Sequence, residues 1–253
     1  WDKVWGPMFR GKFGAEADNI PMEWHWYKIV LRIGSRRGVA KEELGYPRGS
    51  FQVLIDALEN AIKQQGSKIF LGATVKRIIV ENGVATGLQL ADDESSQNAQ
   101  RELETKFDRI ICTAPSFAAL KLVSEFPADY VTKMTAAKYM AAVLVILKLK
   151  QSLSPMYWLN IADRSIPFVA TIEQTNFIPP AVYNHKRILY ISNYLDPSSP
   201  YFKMSCDELF NAYLPHLRKI NPQFSPDWVE EMWHFREAAA QPDSTIRTKD
   251  IPS

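Results

Sequence analysis

The chain has 253 residues, a length that suits one large domain or two smaller ones with a sizeable core. Its 46% hydrophobic and 23% charged content reads as globular rather than disordered. The net charge of +2 gives no reason to expect nucleic acid, and the longest apolar run, Met140 to Leu147, is too short to span a bilayer as a helix. The two cysteines, Cys112 and Cys206, show neither metal-ligand spacing nor a disulfide framework, which points to a reducing compartment. The chain begins at Trp1 and shows no signal peptide.

Residues 1–46 are aromatic-rich and read as irregular, apart from a helix from about Pro21, a good first-turn residue, to about Ile33. The next unit is well signposted. "GYPRGS" (Gly45–Ser50) is a turn that could cradle a phosphate, shape a pocket floor or only reverse the chain. Ser50 can cap the helix that follows. Phe51, Leu54, Ile55, Leu58 and Ile62 recur at helical spacing as one stripe, read as buried. Gly66 stops that helix where a left-handed backbone is usual. "KIFLG" and "VKRIIVE" read as strands, Asn82-Gly83 as a tight hairpin turn, and Val84, Thr86, Leu88 and Leu90 as the returning strand. The acidic stretch 91–104 is a solvated loop by composition. "FDRIIC" reads as a further strand running into a small-residue turn at Thr113-Ala114-Pro115, before a short helix from Ser116 to Val123.

The texture changes near residue 140. "AAVLVILKLK", "MYWLNI", "PFVATIEQ" and "RILYISNYL" are successive strand candidates. Ser205 and Glu208 form a capping box ahead of Leu209, Tyr213, Leu214, Leu217 and Ile220. "DWVEEMWHF" is the last strand, and the polar tail from Glu237 has no closing element. The fold class is therefore α+β, or α/β with an appended sheet domain.

No G-x-G-x-x-G, Walker or G-x-S-x-G motif occurs. The histidines at 25, 185, 216 and 234 are scattered, with no metal pairing. Arg10 and Lys12 in "RGKFG" read as salt-bridge partners or the mouth of a pocket. Seven tryptophans favour a pocket with large aromatic walls. The "FDRIICTAP" stretch suits a ligand crevice at a strand's carboxyl end.

The order "VWGPMFRGKFG", "GYPRGSFQVLIDAL", "GSKIFLGATVKRIIVENGVATGLQL" and "FDRIICTAP" resembles the central region of FAD-dependent amine-oxidase-like flavoproteins. That superfamily includes protoporphyrinogen oxidases, phytoene-type desaturases and monoamine oxidases. The resemblance implies a partial FAD-binding Rossmann-like domain plus a mixed, mostly antiparallel sheet substrate domain with helices. It places residues 1–46 on the substrate side, 47–125 in the FAD domain, 126–236 in the substrate domain, and 237–253 in a segment returning to the FAD domain. By the same match Val75, Thr113, Ala114 and Pro115 would contact FAD, while Tyr46, Gly49, Ser50 and Gln52 would face the substrate cavity. The Gly45–Ser50 turn would then shape a pocket floor.

Two departures qualify the match. The family's phosphate-gripping G-x-G-x-x-G segment and its C-terminal flavin segment have no counterpart, so the chain reads as an internal fragment that binds FAD weakly or not at all. Met140, Ala141 and Ala142 stand where monoamine oxidases carry a lysine, with Lys138 nearby, which argues against an amine oxidase. The implied activity of the whole protein is FAD-dependent dehydrogenation of a C–H or C–N bond in a small apolar organic substrate. The rival readings are a cofactor-free binding fragment and a flavin-dependent mutase or isomerase of a nucleotide sugar. The last would gather Arg10, Arg32, Arg36, Arg37 and Arg48 around a diphosphate. No metal, nucleic acid or transmembrane segment is expected. Self-association through the exposed FAD-domain face is expected, in a cytoplasmic protein or one peripheral to a membrane.

Overall fold

The computed structural model describes residues 5–34, 44–91 and 106–242, with Ala15 and Arg32 as backbone only. Arg36, Arg37, the acidic loop 92–104 and the tail from residue 243 lie outside the described residues. The chain divides into two compact units, one holding residues up to Pro21 together with those from Ala137 on, the other Met22–Ala136.

The first unit is built on a five-stranded sheet. Its strands are β3 (Tyr139–Leu149), β4 (Trp158–Asn160), β5 (Ala170–Glu173), β6 (Arg187–Leu195) and β7 (Val229–Pro242). Their spatial order is β4-β5-β6-β3-β7. Every pair is antiparallel, so the sheet expected to be mixed is purely antiparallel among the described residues. Strict alternation along β3 decides which face is core. Ala141, Val143, Val145, Leu147 and Leu149 are buried, and the residues between them are half-buried.

The helix Cys206–Ile220 covers the buried face with Leu209, Phe210, Tyr213 and Leu217, packed with Leu189, Ile191, Leu153, Phe168 and Phe224. Each fully buried aliphatic side chain contributes about 1.5–3 kcal/mol. The expected capping box is present: the Glu208 N–H donates to Ser205 Oγ at 3.3 Å and the Ser205 N–H to Glu208 Oε2 at 2.8 Å. β7 runs past the end expected at Phe235, because Met140 and Tyr139 extend the ladder to Gln241 and Pro242.

Helix α1 (Trp5–Phe13) also belongs to this unit, where the sequence read as irregular. Pro7 lies in its first turn, where a missing N–H costs little, and Phe9 and Phe13 are buried. A 3₁₀ turn, Gly14–Asn19, follows it.

The second unit holds α2 (Met22–Gly34), α3 (Gln52–Gln64), the hairpin β1 (Val75–Glu81) and β2 (Val84–Leu90), α4 (Ser116–Leu122) and α5 (Ala128–Thr135). Asn82 and Gly83 both take positive φ (53° and 78°), as a hairpin turn of this type requires. Gly66, at φ 77°, ends α3 as expected.

Three expectations fail in this unit. The apolar stripe of α3 is exposed, with Leu58 at 57%, and the helix buries no residue. "KIFLG" and "FDRIIC" form no strands; Ile111 is 89% exposed, and only Lys106 bridges to Gly87. A strand needs a partner ladder, and none of the described residues supplies one. The same unpaired stretches mean that no parallel sheet appears among the described residues.

Candidate functional site

The residues singled out on the FAD and substrate sides all lie in the second unit. Val75 opens β1, opposite Leu90, and is half-buried. Thr113, Ala114 and Pro115 are exposed, and the Pro115 carbonyl accepts the first helical N–H groups of α4, from Ala118 and Ala119, both at 2.9 Å.

The Gly45–Ser50 turn is tightly built. Gly49 has φ 87°, and a Cβ there would sit 2.9 Å from Val53 Cγ2, so this position needs glycine for both conformation and space. Ser50 also has positive φ, 73°, and its N–H donates to the Pro47 carbonyl. Ser50 Oγ accepts from the Gln52 N–H at 3.2 Å, but the N-cap position of α3 is Phe51, which makes no side-chain cap, so Ser50 is a turn residue one place before the expected cap position. Gln52 donates to Asp56 at 2.8 Å. Tyr46 meets Phe51 edge-on, with ring centroids 5.2 Å apart. The two groups thus offer small residues and exposed backbone, on which a flat cofactor edge or an apolar ligand could rest. Beside the hairpin lies a polar cavity of about 850 Å³, lined by Glu81, Thr86, Lys106, Phe107, Asp108 and Arg109.

The first unit carries a second surface, one the sequence reading did not assemble. It is the face of the five-stranded sheet opposite the core. The pairing register sets Trp158, Ile172, Tyr190, Ile146 and Trp233 in one row across all five strands. At about 4.8 Å per strand the row spans roughly 20 Å. The next row holds Ser192, Leu144 and Phe235. Trp158, Trp233 and Phe235 are 50%, 40% and 54% exposed. Trp158 Nε1 donates to Asn160 Oδ1 at 2.9 Å, which fixes the indole against its own strand. The signal for this face was present as the even-numbered residues of β3 and β6. Its residues lie on strands far apart in sequence, so only the register joins them.

The approach to β4 is held by polar groups. Glu173, 1% exposed, accepts the N–H groups of Leu153 and Ser154 on Oε2, at 3.0 and 3.1 Å. Asn176 donates to the Ser154 and Met156 carbonyls, and Asn221 to the Leu153 carbonyl. Burial raises the Glu173 carboxyl above its ordinary range, although the Ser154 and Leu153 N–H groups pull the other way.

At one end of the open face, Lys148 pairs with Glu231 and Lys186 with Glu230, both at 2.6 Å. The hydrogen bond from Glu231 holds the Lys148 ammonium above its ordinary range, and the one from Lys186 holds Glu230 below its own. A cavity of about 430 Å³ lies there, lined by Lys148, Val182, Tyr183, Asn184, Lys186 and Ile188. At the other end, α1 covers Val169 and Tyr194. Both cysteines are free, and burial pushes the Cys206 thiol up. Among the described residues no His, Cys, Asp or Glu cluster could hold a metal ion, and no helix is long and apolar enough to cross a membrane.

No family model matches the chain, and no curated protein matches it. Solved structures do. An oxidoreductase from Methanosarcina mazei aligns with a TM-score of 0.69 at 21% identity, covering 94% of this chain and 53% of that one. A putative protoporphyrinogen oxidase from Exiguobacterium sp. 255-15 aligns at 0.67 and 16% identity, over 95% and 52%. Reduced UDP-galactopyranose mutase aligns at 0.65 and 15% identity, over 94% and 52%. The chain shares their fold. It spans about half the length of each of these structures. At such identities the likeness speaks for the fold and leaves the substrate open.

Proposed function

We propose that this chain forms the substrate side, and part of the cofactor side, of an FAD-dependent oxidoreductase that dehydrogenates a C–H or C–N bond of an apolar organic molecule. The observation that carries the reading is the aromatic row Trp158–Ile172–Tyr190–Ile146–Trp233 on a sheet whose fold is shared with an oxidoreductase and a putative protoporphyrinogen oxidase.

In this reading the sheet face is the wall that receives the apolar part of the substrate. Trp233 and Phe235 supply flat contact area at small entropic cost, and their burial on binding excludes water from the reacting bond. In the second unit, taken by itself, Tyr46, Gly49, Ser50 and Gln52 form a substrate-side surface. Val75, Thr113, Ala114 and Pro115 lie along the cofactor, within a Rossmann-like domain completed by residues other than those described. FAD, when bound, supplies the two-electron acceptor. The chain's own residues orient the substrate and keep the site dry. The lack of a lysine at Met140–Ala142 favours a carbon-centred substrate over an amine.

The likeness to UDP-galactopyranose mutase supports a second reading, a flavin-dependent nucleotide-sugar isomerase. Ligand binding separates the two. A neutral aromatic probe such as phenylnaphthylamine should bind the purified chain and lose most of its affinity in Trp233→Ala/Phe235→Ala. Tight binding of a UDP-sugar with no response to phenylnaphthylamine would replace the first reading with the second.

A further inference from the structure

The open face of the sheet ends in charge. Residues two apart on a strand share a face and stand about 7 Å apart. The row next to Tyr190–Ile146–Trp233 is therefore Ile188–Lys148–Glu231, on the same side of the sheet. Lys186 comes two residues before Ile188, and its ammonium meets Glu230 beside that row. The cavity of about 430 Å³ opens here, and Lys148, Lys186 and Ile188 all line it. It adjoins the aromatic row, so one ligand can occupy both.

One wall of the cavity is a tight loop. Asn184 and His185 follow each other with φ 51° and 61°, in the left-handed region that few residue types accept. Two backbone bonds pin the loop. The His185 N–H donates to the Pro180 carbonyl at 2.8 Å, and the Lys186 N–H to the Tyr183 carbonyl at 3.0 Å. Backbone of this kind persists where its surroundings hold it, and here it fixes the root of Lys186 at the cavity.

The two lysines bring more donors than the protein spends. An ammonium has three. Among the described residues Lys148 Nζ donates to Glu231 Oε1 and Lys186 Nζ to Glu230 Oε1, one hydrogen bond each, both at 2.6 Å. Glu230 Oε2, 4.0 Å from Lys148 Nζ, is too far for another. Charge is in excess as well. Behind the Lys186 hydrogen bond, the charges of Lys186, Lys148 and Lys150 all act on Glu230, so three lysines stand against two glutamates. Tyr183 and Asn184 add a hydroxyl and an amide to the lining.

We propose that this cavity is an anion subsite of the sheet face: Lys148 and Lys186 take a carboxylate or other anionic oxygen group of the ligand, whose apolar body lies across Ile146, Tyr190 and Trp233. The inference rests on the sheet face being the substrate wall, and it narrows the substrate class to apolar molecules that carry an acidic group. Glu230 and Glu231 are positioning residues, which hold the two ammoniums in place without saturating them.

The test compares two probes with one aromatic framework: anilinonaphthalene sulfonate, and its neutral parent phenylnaphthylamine. Wild-type chain should bind the sulfonate about tenfold more tightly, as one charge-assisted hydrogen bond allows. That preference should shrink as salt is added. Lys148→Met/Glu231→Gln and Lys186→Met/Glu230→Gln each remove an ion pair, strand no charge and keep the net charge. Each should take away most of the preference and leave neutral-probe affinity unchanged. Glu231→Gln alone keeps an acceptor for Lys148 but removes the competing charge, so it should tighten sulfonate binding about threefold. It carries the test with the opposite sign if a double variant does not fold. Every one of these variants changes the first unit only, so probe bound elsewhere cancels in the comparison. A wild type that binds both probes equally, a preference unchanged in both double variants, or no tightening in Glu231→Gln overturns the proposal. The Trp233→Ala/Phe235→Ala double variant separates the two levels. If it leaves both affinities intact, the sheet-face reading itself falls. If it removes neutral-probe binding while the two lysine variants keep the sulfonate preference, only the anion subsite falls.

Discussion

Replacing Glu173 tests how the edge of the proposed site is held. Its carboxylate lies in the core, 1% exposed, and accepts the N–H groups of Leu153 and Ser154. Glu173→Ala leaves both donors without their acceptor and opens a cavity. At about 1–3 kcal/mol for a stranded buried donor, with a smaller share from the half-buried Ser154, the loss should be about 2–4 kcal/mol. For a chain of this size that lowers Tm by roughly 2–4 °C per kcal/mol. Glu173→Gln keeps an oxygen for both donors and cannot ionise, so it should not show that loss.

The pH dependence gives the sign. Burial raises the folded-state pKa of Glu173 above its unfolded value, so the folded chain holds the proton more tightly. This group's contribution is therefore greatest below the ordinary carboxylate range, falls as pH rises through the folded value, and is flat above it. Thermal unfolding followed by circular dichroism over a pH series should show the wild-type-minus-Gln difference growing less favourable to wild type as pH rises. A Glu173→Gln variant as unstable as Glu173→Ala, or a difference curve flat in pH, would refute this reasoning.

Three further outcomes follow from the same packing. Ser205→Ala removes the cap that accepts the Glu208 N–H and should cost about 1 kcal/mol by thermal melt, with little effect on ligand binding. Leu54→Glu/Leu58→Glu changes residues more than half exposed on α3, so Tm should stay within about 0.5 kcal/mol equivalent of wild type, while concentration-dependent association in sedimentation velocity diminishes. Leu217→Ala empties a fully buried site against the sheet and should cost about 2–5 kcal/mol by denaturant titration.

Much of the first unit was legible because local and tertiary demands agree there. Ser205 and Glu208 announce the long helix, its Leu209–Tyr213–Leu217 stripe finds the sheet, and the odd residues of β3 fill the same core. Helix α1, in a stretch that reads as irregular, carries Gly6, Pro7 and Gly11, residues of poor helix propensity. The burial of Phe9 and Phe13 and the close seat of Gly11 on Val169 outweigh their poor propensity. In the second unit the sequence carried periodicity without naming a partner. The α3 stripe and Ile111 are apolar and yet exposed, since hydrophobic pattern records what a segment could bury and not what lies against it. The proposed site was the least legible part. Trp158, Tyr190 and Trp233 come into one row through four antiparallel registers, and no local pattern encodes those registers.

The most direct test of the central claim is equilibrium dialysis of the purified chain against FAD and against riboflavin, which reads weak binding that a desalting column would miss. The account predicts an excess of both flavins on the protein side, reduced by Ala114→Trp, with the two bound about equally if the phosphate grip lies outside these residues. Flavin binding that Ala114→Trp leaves unchanged would contradict the assignment of Val75 and Thr113–Pro115 to a cofactor edge.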